Sequence, residues 1–437
     1  RPLISENFMD EEAKFWRSKI PPIDRRYYDL LSNKFPAIIH ESYNAKFLDA
    51  DHGREPYGFL SWKGMEQMYL RGQEISKRYN DNSKELMLDR FDIKAFSTNY
   101  LRTVKSCQCF LDGLLSNPSL HMPKNINNSD ESSHYESIDP SDYQTYSGVT
   151  IKVRDRKNDT LNAFDKSPDL MKKLVKNVVT QKEFIERDTK AATLAARLCN
   201  FLPGLINCKS YGGPSGINWI HASDHFVCRS SHAVPFSKYS HLESDLAEQT
   251  LQAISHSVTS HLAWRFRTWY QNPSLLAAIS GPPLADINDQ IESIINDGSL
   301  KKKPFMIYSC HDVTILSLLY GLGSDMLASE KELRSLGLSG SDDEERWRFW
   351  PEYASTLVLE LLRVESSVNG EEGGYSIKIS LNGEPIRPVM ALRKGKEMMN
   401  AYDFAQLTKN LNDSVPSELK CSKTIDSGDR DMSGWTG

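Results

Sequence analysis

An α/β protein with a mainly parallel central sheet flanked by helices, interrupted by a mostly helical cap insertion, is the fold class predicted by three features. Apolar runs of strand length lead directly into helical patterns at two places, within DIKAFSTNYLRTVKSCQCFLDGLL (92–115) and PFMIYSCHDVTILSLLYGLG (304–323). Helical periodicity dominates from about 160 to 300, and a strand pair returns near residues 355–385. Strands alternating with helical patterns of this length build parallel sheets. The predicted organisation is an α/β core of residues 1–159 and 301–437 with a mainly helical cap at 160–300.

Taken in order, residues 1–60 are polar and punctuated by proline, with one short helical segment, MDEEAKFWRSKI. KGMEQMYLRGQEISKRY places Met65, Met68, Tyr69, Gly72 and Ile75 at helical spacing, a strongly amphipathic helix. In 92–115, Ile93 and Ala95 alternate as in a strand and Ser97-Thr98 can cap. Leu101, Val104, Cys107 and Leu111 then share one helix face. The polar stretch 116–142 has no periodicity and reads as a long surface loop. VTIKVRD (149–155) is a short strand. Inside the insertion, ATLAARLCNFL is helical and ESDLAEQTLQAISHSVTSHLAWRFRTWY (243–270) is the longest predicted helix. SYGGPSGINWIHASDHFVCRSSH lies between them, and its Gly and Pro content argues against a rigid helix. STLVLELLRV and YSIKISLNGEP, separated by the polar turn ESSVNGEEGG, read as a hairpin.

Bulk properties narrow the function. The 437 residues exceed one small core, and 39% apolar and 25% charged residues are ordinary for a globular chain. A net charge of −5 and a pI near 6.2 give no basic face for nucleic acid. No apolar run approaches the roughly 20 residues that span a bilayer. The seven cysteines are scattered, without a CxxC pair, which indicates neither a zinc clip nor a disulfide framework. Asn-x-Ser/Thr occurs at Asn127, Asn158 and Asn412, a number close to chance in so Asn-rich a chain. No GxSxG nucleophile elbow occurs, nor a P-loop or GxGxxG pattern, and no cofactor is expected.

Four constellations bear on chemistry. His311-Asp312 sits between an apolar strand and an apolar helix, where open α/β sheets bind ligands. A capping role for Asp312 or Ser309 accounts for the acid but not for a neighbouring imidazole at a position that favours anions. Arg102 repeats the arrangement: strand, capping hydroxyl, helix N-terminus, cation. Alone it reads as a surface helix residue. Beside the first junction it would supply a planar fork for a phosphate-sized dianion. His221 and His225, at i and i+4 in HASDH, would share a helix face able to hold a metal. The lack of a HExxH glutamate makes exposed or lid residues the preferred reading, and no metal is expected. DHGREP (Asp51–Pro56) reads as structural or as a substrate-side contact.

With these residues identified, the chain resembles the histidine acid phosphatases, specifically the lysophosphatidic-acid-phosphatase-like branch. The resemblance rests on YGFLSWKGMEQMYLRGQEISKRY, FSTNYLRTVKSCQCFLDGL, SCHDVTILSLLYGLG and EYASTLVLELLRV with ISLNGEP, in that order. It implies an α/β domain with a helical cap, a phosphohistidine intermediate and a small phosphomonoester substrate. Lysophospholipid, sugar phosphate and inositol phosphate remain open as substrates. By the family's motifs, Arg102 and His311 would clamp phosphate and Asp312 would protonate the leaving alkoxide. The resemblance also implies a secretory, lysosomal or other membrane-bounded compartment. Two departures stand out. Phe96 occupies a position where the family often has arginine, and no RHGxRxP nucleophile motif occurs. His40 lies between Ile39 and Glu41, and His52 follows Asp51. Arg1-Pro2-Leu3 matches the tail of the motif, so the nucleophile is expected upstream of Arg1. A catalytically inactive protein binding a phosphorylated ligand is the alternative, and a metal-dependent hydrolase using His221 and His225 the third reading.

Overall fold

The computed structural model describes residues 9–21, 35–39, 56–79, 87–115, 149–205, 215–240, 242–297, 301–338, 348–364 and 374–414. His40 and residues 51–55 of DHGREP lie outside them. The chain runs through α1 (Met9–Ser18), β1 (Ala37–Ile39), α2 (Trp62–Tyr79), β2 (Phe91–Ser97), α3 (Leu101–Leu115) and β3 (Ile151–Val153). Helices α4 (Pro168–Val179), α5 (Lys182–Lys190), α6 (Ala192–Phe201), α7 (Trp219–Ser231), α8 (Asp245–Tyr270) and α9 (Pro273–Asn296) follow. Then come β4 (Lys303–Ser309), α10 (Asp312–Gly321), β5 (Leu357–Val364), β6 (Gly374–Leu381), β7 (Glu384–Ile386), β8 (Met399–Asn400) and α11 (Ala401–Asp413). Turns of helix six residues or shorter are not numbered.

The fold is mixed α/β. A parallel sheet has the order β1-β3-β2-β4, with β2 and β4 in register from Phe91↔Lys303 to Ser97↔Ser309. The predicted hairpin is present: β5 and β6 pair antiparallel from Leu357↔Leu381, and β7 and β8 also pair with β6. Among the described residues, β4 thus ends the first sheet and β5 ends the second. These two edges face a common cleft of about 2370 Å³, lined by both strands. Helix α2 spans the two sheets. It packs beside α3, and its C-terminal Arg78 and Tyr79 donate to Glu360 of β5 at 2.7 and 2.8 Å.

One apolar cluster centres on the parallel sheet, with Ala95, Val104, Leu111 and Ile151 nearly inaccessible. A second runs from α4 through α8 and α9 into α10, β6 and α11, so the helical stretch shares its core with the hairpin sheet. Helices α2 and α3 cross at Gly72 and Gly113. A Cβ at Gly72 would sit 2.1 Å from the Phe110 carbonyl oxygen, so only glycine permits this approach.

Two expectations need correction. HASDH is not an irregular lid: it lies within α7, which begins where the Asn218 side chain accepts hydrogen bonds from the Ile220 and His221 amides. That capping outweighs the Gly and Pro upstream. Residues 1–60 contain a strand, β1, that polarity alone did not reveal.

Candidate functional site

Parallel pairing of β2 with β4 brings the two strand-to-helix junctions side by side. The Thr98 amide donates to the Ser309 carbonyl at 3.1 Å, and the Ser309 hydroxyl to the Thr103 carbonyl at 2.8 Å. Ser309 therefore ties β4 to α3 and does not cap α10. The N-cap is His311, with extended backbone and no side-chain capping bond, and Asp312 is the first helical residue. At the other junction the Thr98 and Thr103 hydroxyls are 2.9 Å apart, and Arg102 lies in the first turn of α3.

Tyr100 brings the two halves together. Its ring meets the His311 imidazole edge-on at 4.9 Å, and the Arg102 guanidinium lies over it at 4.8 Å. The Tyr100 hydroxyl donates to Asp165 at 2.7 Å, which fixes the ring. His311 is buried and its Nε2 has no hydrogen-bond partner among the described residues. Burial, with the Arg102 charge second, holds the imidazole well below its ordinary pKa, so the ring is neutral.

Asp312 opens onto the cleft. Its Oδ2 accepts from Trp350 Nε1 at 2.7 Å and its Oδ1 from the Val313 amide at 2.8 Å. The surrounding protein raises its pKa. These two hydrogen bonds and the Arg102 charge pull the other way without reversing the shift. A carboxyl so placed keeps its proton to higher pH than a free aspartate. Arg102, His311 and Asp312 all line one cleft.

The other candidates part company. His225 is buried in α7 with Nε2 2.9 Å from the Phe236 carbonyl, and His221 is half-buried; both line the cleft. The Phe236 carbonyl engages the His225 Nε2, and among the described residues no group of three His, Cys, Asp or Glu side chains could hold a metal ion. Phe96 stacks on its register partner Tyr308 at 5.3 Å and 14°. Cys107, Cys109 and Cys310 form no disulfide bond among the described residues. No described helix is long and apolar enough to cross a membrane.

Three site residues escaped the sequence reading. Trp350 reaches Asp312 from outside any motif. Tyr100 sits inside the segment that carries Arg102, and its position between Thr98 and Arg102 was the available signal. Asp224, on α7, lies in HASDH, where the two histidines drew the attention. Burial first and the Asp312 charge second push Asp224 up to about 7.

The profile of the histidine phosphatase superfamily (branch 2) matches residues 24–382, and the chain belongs to that family. Its substrate class is accordingly small phosphate esters. Among solved structures it is similar to the phytase from Citrobacter braakii at 13% identity and a TM-score of 0.49, over 90% of this chain and 94% of that one. It is also similar to the phytase from D. castellii, at 11% identity and a TM-score of 0.48 over 93% and 76% of the two chains. The Hafnia alvei phytase gives 12%, 0.45, 92% and 95%. No curated protein matches the chain.

Proposed function

We propose that the protein hydrolyses phosphomonoesters through a phosphohistidine intermediate, with Arg102 and His311 holding the phosphate and Asp312 acting as general acid. The observation that carries this reading is the Ser97↔Ser309 register, which aligns the two junctions so that a cation, a neutral imidazole and a raised carboxyl face one cleft. Arg102 offers a fork to two phosphate oxygens, and the unpartnered His311 Nε2 donates to another when it carries the proton. An imidazole nucleophile forms the N–P bond as the P–O ester bond breaks, and the Asp312 proton passes to the leaving alkoxide. Water then attacks phosphorus, its proton returns to the Asp312 carboxylate, and the imidazole departs.

The nucleophile belongs, on this reading, to a segment outside residues 1–437, because the chain contains no Arg-His-Gly triplet. The β4 and β5 edges favour a place for it. Each strand is hydrogen-bonded on one side to its own sheet, both line the same cleft, and their apolar side chains are only half-buried there. A strand between them would join the sheets, and if parallel to β4 it would end beside His311. Residues 160–300 serve in this reading as the cap over the leaving group.

The missing triplet also favours a second reading, in which the protein binds a phosphorylated ligand without turnover. Acid-labile ³²P labelling of the full-length protein from a phosphomonoester separates the two: labelling is expected, and its absence in a folded, phosphate-binding protein favours the binder. With Asp312→Asn, turnover of alkyl esters should fall on the order of 10²–10⁴-fold. Aryl esters, whose leaving groups need little protonation, should lose much less. Equal losses remove Asp312 from the acid role.

A further inference from the structure

The geometry points to Trp350 as the positioning residue of the general acid: its indole N–H, supported from α8, fixes the plane of the Asp312 carboxyl and stabilises the carboxylate left once the proton has been delivered. This rests on Asp312 acting as the acid, and goes beyond that reading by giving the helical stretch a part in the chemical step.

Each oxygen of Asp312 takes one donor, and both donors are steadied by the same face of α8. Trp350 Nε1 donates to Oδ2 at 2.7 Å, and the half-buried indole stands edge-on to the Phe266 ring at 5.1 Å and 87°. One turn further along α8, the Tyr270 hydroxyl donates to the Val313 carbonyl at 3.0 Å, and the Val313 amide donates to Oδ1 at 2.8 Å. Phe266 and Tyr270, at i and i+4, share a helix face and are almost fully buried. Their rings pack on each other at 5.9 Å, and Phe266 packs on Trp269 at 4.7 Å, which holds them in place. The Val313 bond joins neighbours in sequence, and alone it leaves the carboxyl free to turn about that one contact. A second donor on the other oxygen removes the freedom. Trp350 supplies it from the segment that leads into β5.

Neither donor surrenders its own proton, because an indole N–H and a backbone amide are donors only. As the P–O ester bond breaks, its electron pair stays with the leaving oxygen and the Asp312 proton moves there. The negative charge is left on a carboxylate held by two N–H groups. A hydrogen bond to a charged oxygen is the stronger one, so the Trp350 bond gains strength as the proton departs and favours the transition state. Burial raises the Asp312 pKa, and the Trp350 bond is the first of the influences that oppose it. Arg102 of α3 acts in the same sense as Trp350. Asp224 of α7 is the neighbouring carboxyl, and His311 beside it is neutral. Tyr270, Tyr353 and Cys310 are the other titratable neighbours, uncharged because burial pushes each of them up.

Replacing Trp350 by benzothienylalanine, a ring of the same shape with sulfur in place of the N–H, removes the donor and little else. Trp350→Phe is the simpler counterpart. In the full-length protein, the alkaline limb of kcat for an alkyl phosphate marks ionisation of Asp312 in the complex. Without the donor the carboxylate loses a stabiliser, so the limb should move up by about one pH unit. Below the limb, kcat should fall about tenfold for the alkyl ester and much less for an aryl ester, as expected of a weaker and looser acid. Loosened packing alone would admit water to Asp312 and move the limb down or leave it in place. A limb that stays or falls with benzothienylalanine overturns the inference. The unsubstituted protein gives an independent measurement: the Trp350 indole ¹H–¹⁵N resonance, assigned by its absence in Trp350→Phe, should titrate with Asp312 and lie flat in Asp312→Asn. A resonance that does not titrate overturns the inference as well. Equal losses of alkyl and aryl turnover in Asp312→Asn overturn the acid role itself, so the two failures are distinct.

Discussion

Arg102 and His311 lie far apart in sequence and meet on the two sides of one tyrosine ring system, with the guanidinium over Tyr100 and the imidazole against its edge. Such a platform orients a planar cation, and lysine, a point charge on a flexible stem, cannot use it in the same way. Arg102→Lys should therefore be nearly as damaging as Arg102→Ala, with vanadate inhibition and turnover lost in step. A loss on the order of 10²–10³-fold is expected for a group that stabilises charge in the transition state. Unchanged vanadate inhibition in the lysine variant would return Arg102 to the role of a surface helix residue. The juxtaposition of Arg102, His311 and Asp312 was legible because each follows a strand, and parallel strands deliver their ends to the same side. Trp350 and Asp224 were not legible in the same way. Their relation to Asp312 depends on how a later loop and a separate helix fold over the sheet, and no local spacing encodes it.

At the scale of elements, the helices that were easiest to read are those whose faces differ sharply. Helix α3 followed from Leu101, Val104, Cys107 and Leu111, all of which are buried. Its contact with α2 was less apparent: Gly72 falls on the periodic face of α2, but neither it nor Gly113 marks which helix comes so close. A Cβ on Gly113 would lie 1.9 Å from the Tyr69 carbonyl oxygen, an atom of the opposing backbone that cannot step aside. Gly113→Ala should consequently destabilise the protein by about 1–3 kcal/mol, the range for overpacking, and move the denaturation midpoint without altering its slope. An unchanged midpoint would mean that the helices separate without cost. Helix α9 falls inside the stretch 160–300 predicted to be mainly helical but was not named individually, and it contains Pro282 and Pro283, which ordinarily stop a helix. The helix persists through them for a tertiary reason. Ser280 and Leu284 lie directly against Gly321 of α10, and α11 packs along the same helix.

Across the whole molecule, α1 and α7 are joined by the buried Glu12–Arg229 pair, which Trp16 and Tyr57 complete by donating to the Glu12 carboxylate at 3.2 and 3.4 Å. Removing one member leaves the other charge buried without its counter-ion, at a cost of about 3–5 kcal/mol, whereas removing both can be close to neutral. Glu12→Gln and Arg229→Met should each lower stability by that order, and the double variant by clearly less than their sum. Strict additivity in thermal or urea unfolding would show that the two helices are held by other contacts.

The β2–β4 pairing has a consequence for how the molecule is made. Phe91 finds its partner at Lys303, about 200 residues later, and the seven helices α3 to α9, which can form locally, lie in between. Synthesis at ~5–20 residues per second leaves β2 waiting about 10–40 s for β4 to emerge. During that interval its free edge is open to pairing with any exposed strand nearby. Lys94 and Asp92, both exposed on β2, put charge along the waiting strand. Arg102 thus belongs to an early-made half of the cleft and His311-Asp312 to a late one, and the site comes into being only as the last strand of the parallel sheet docks.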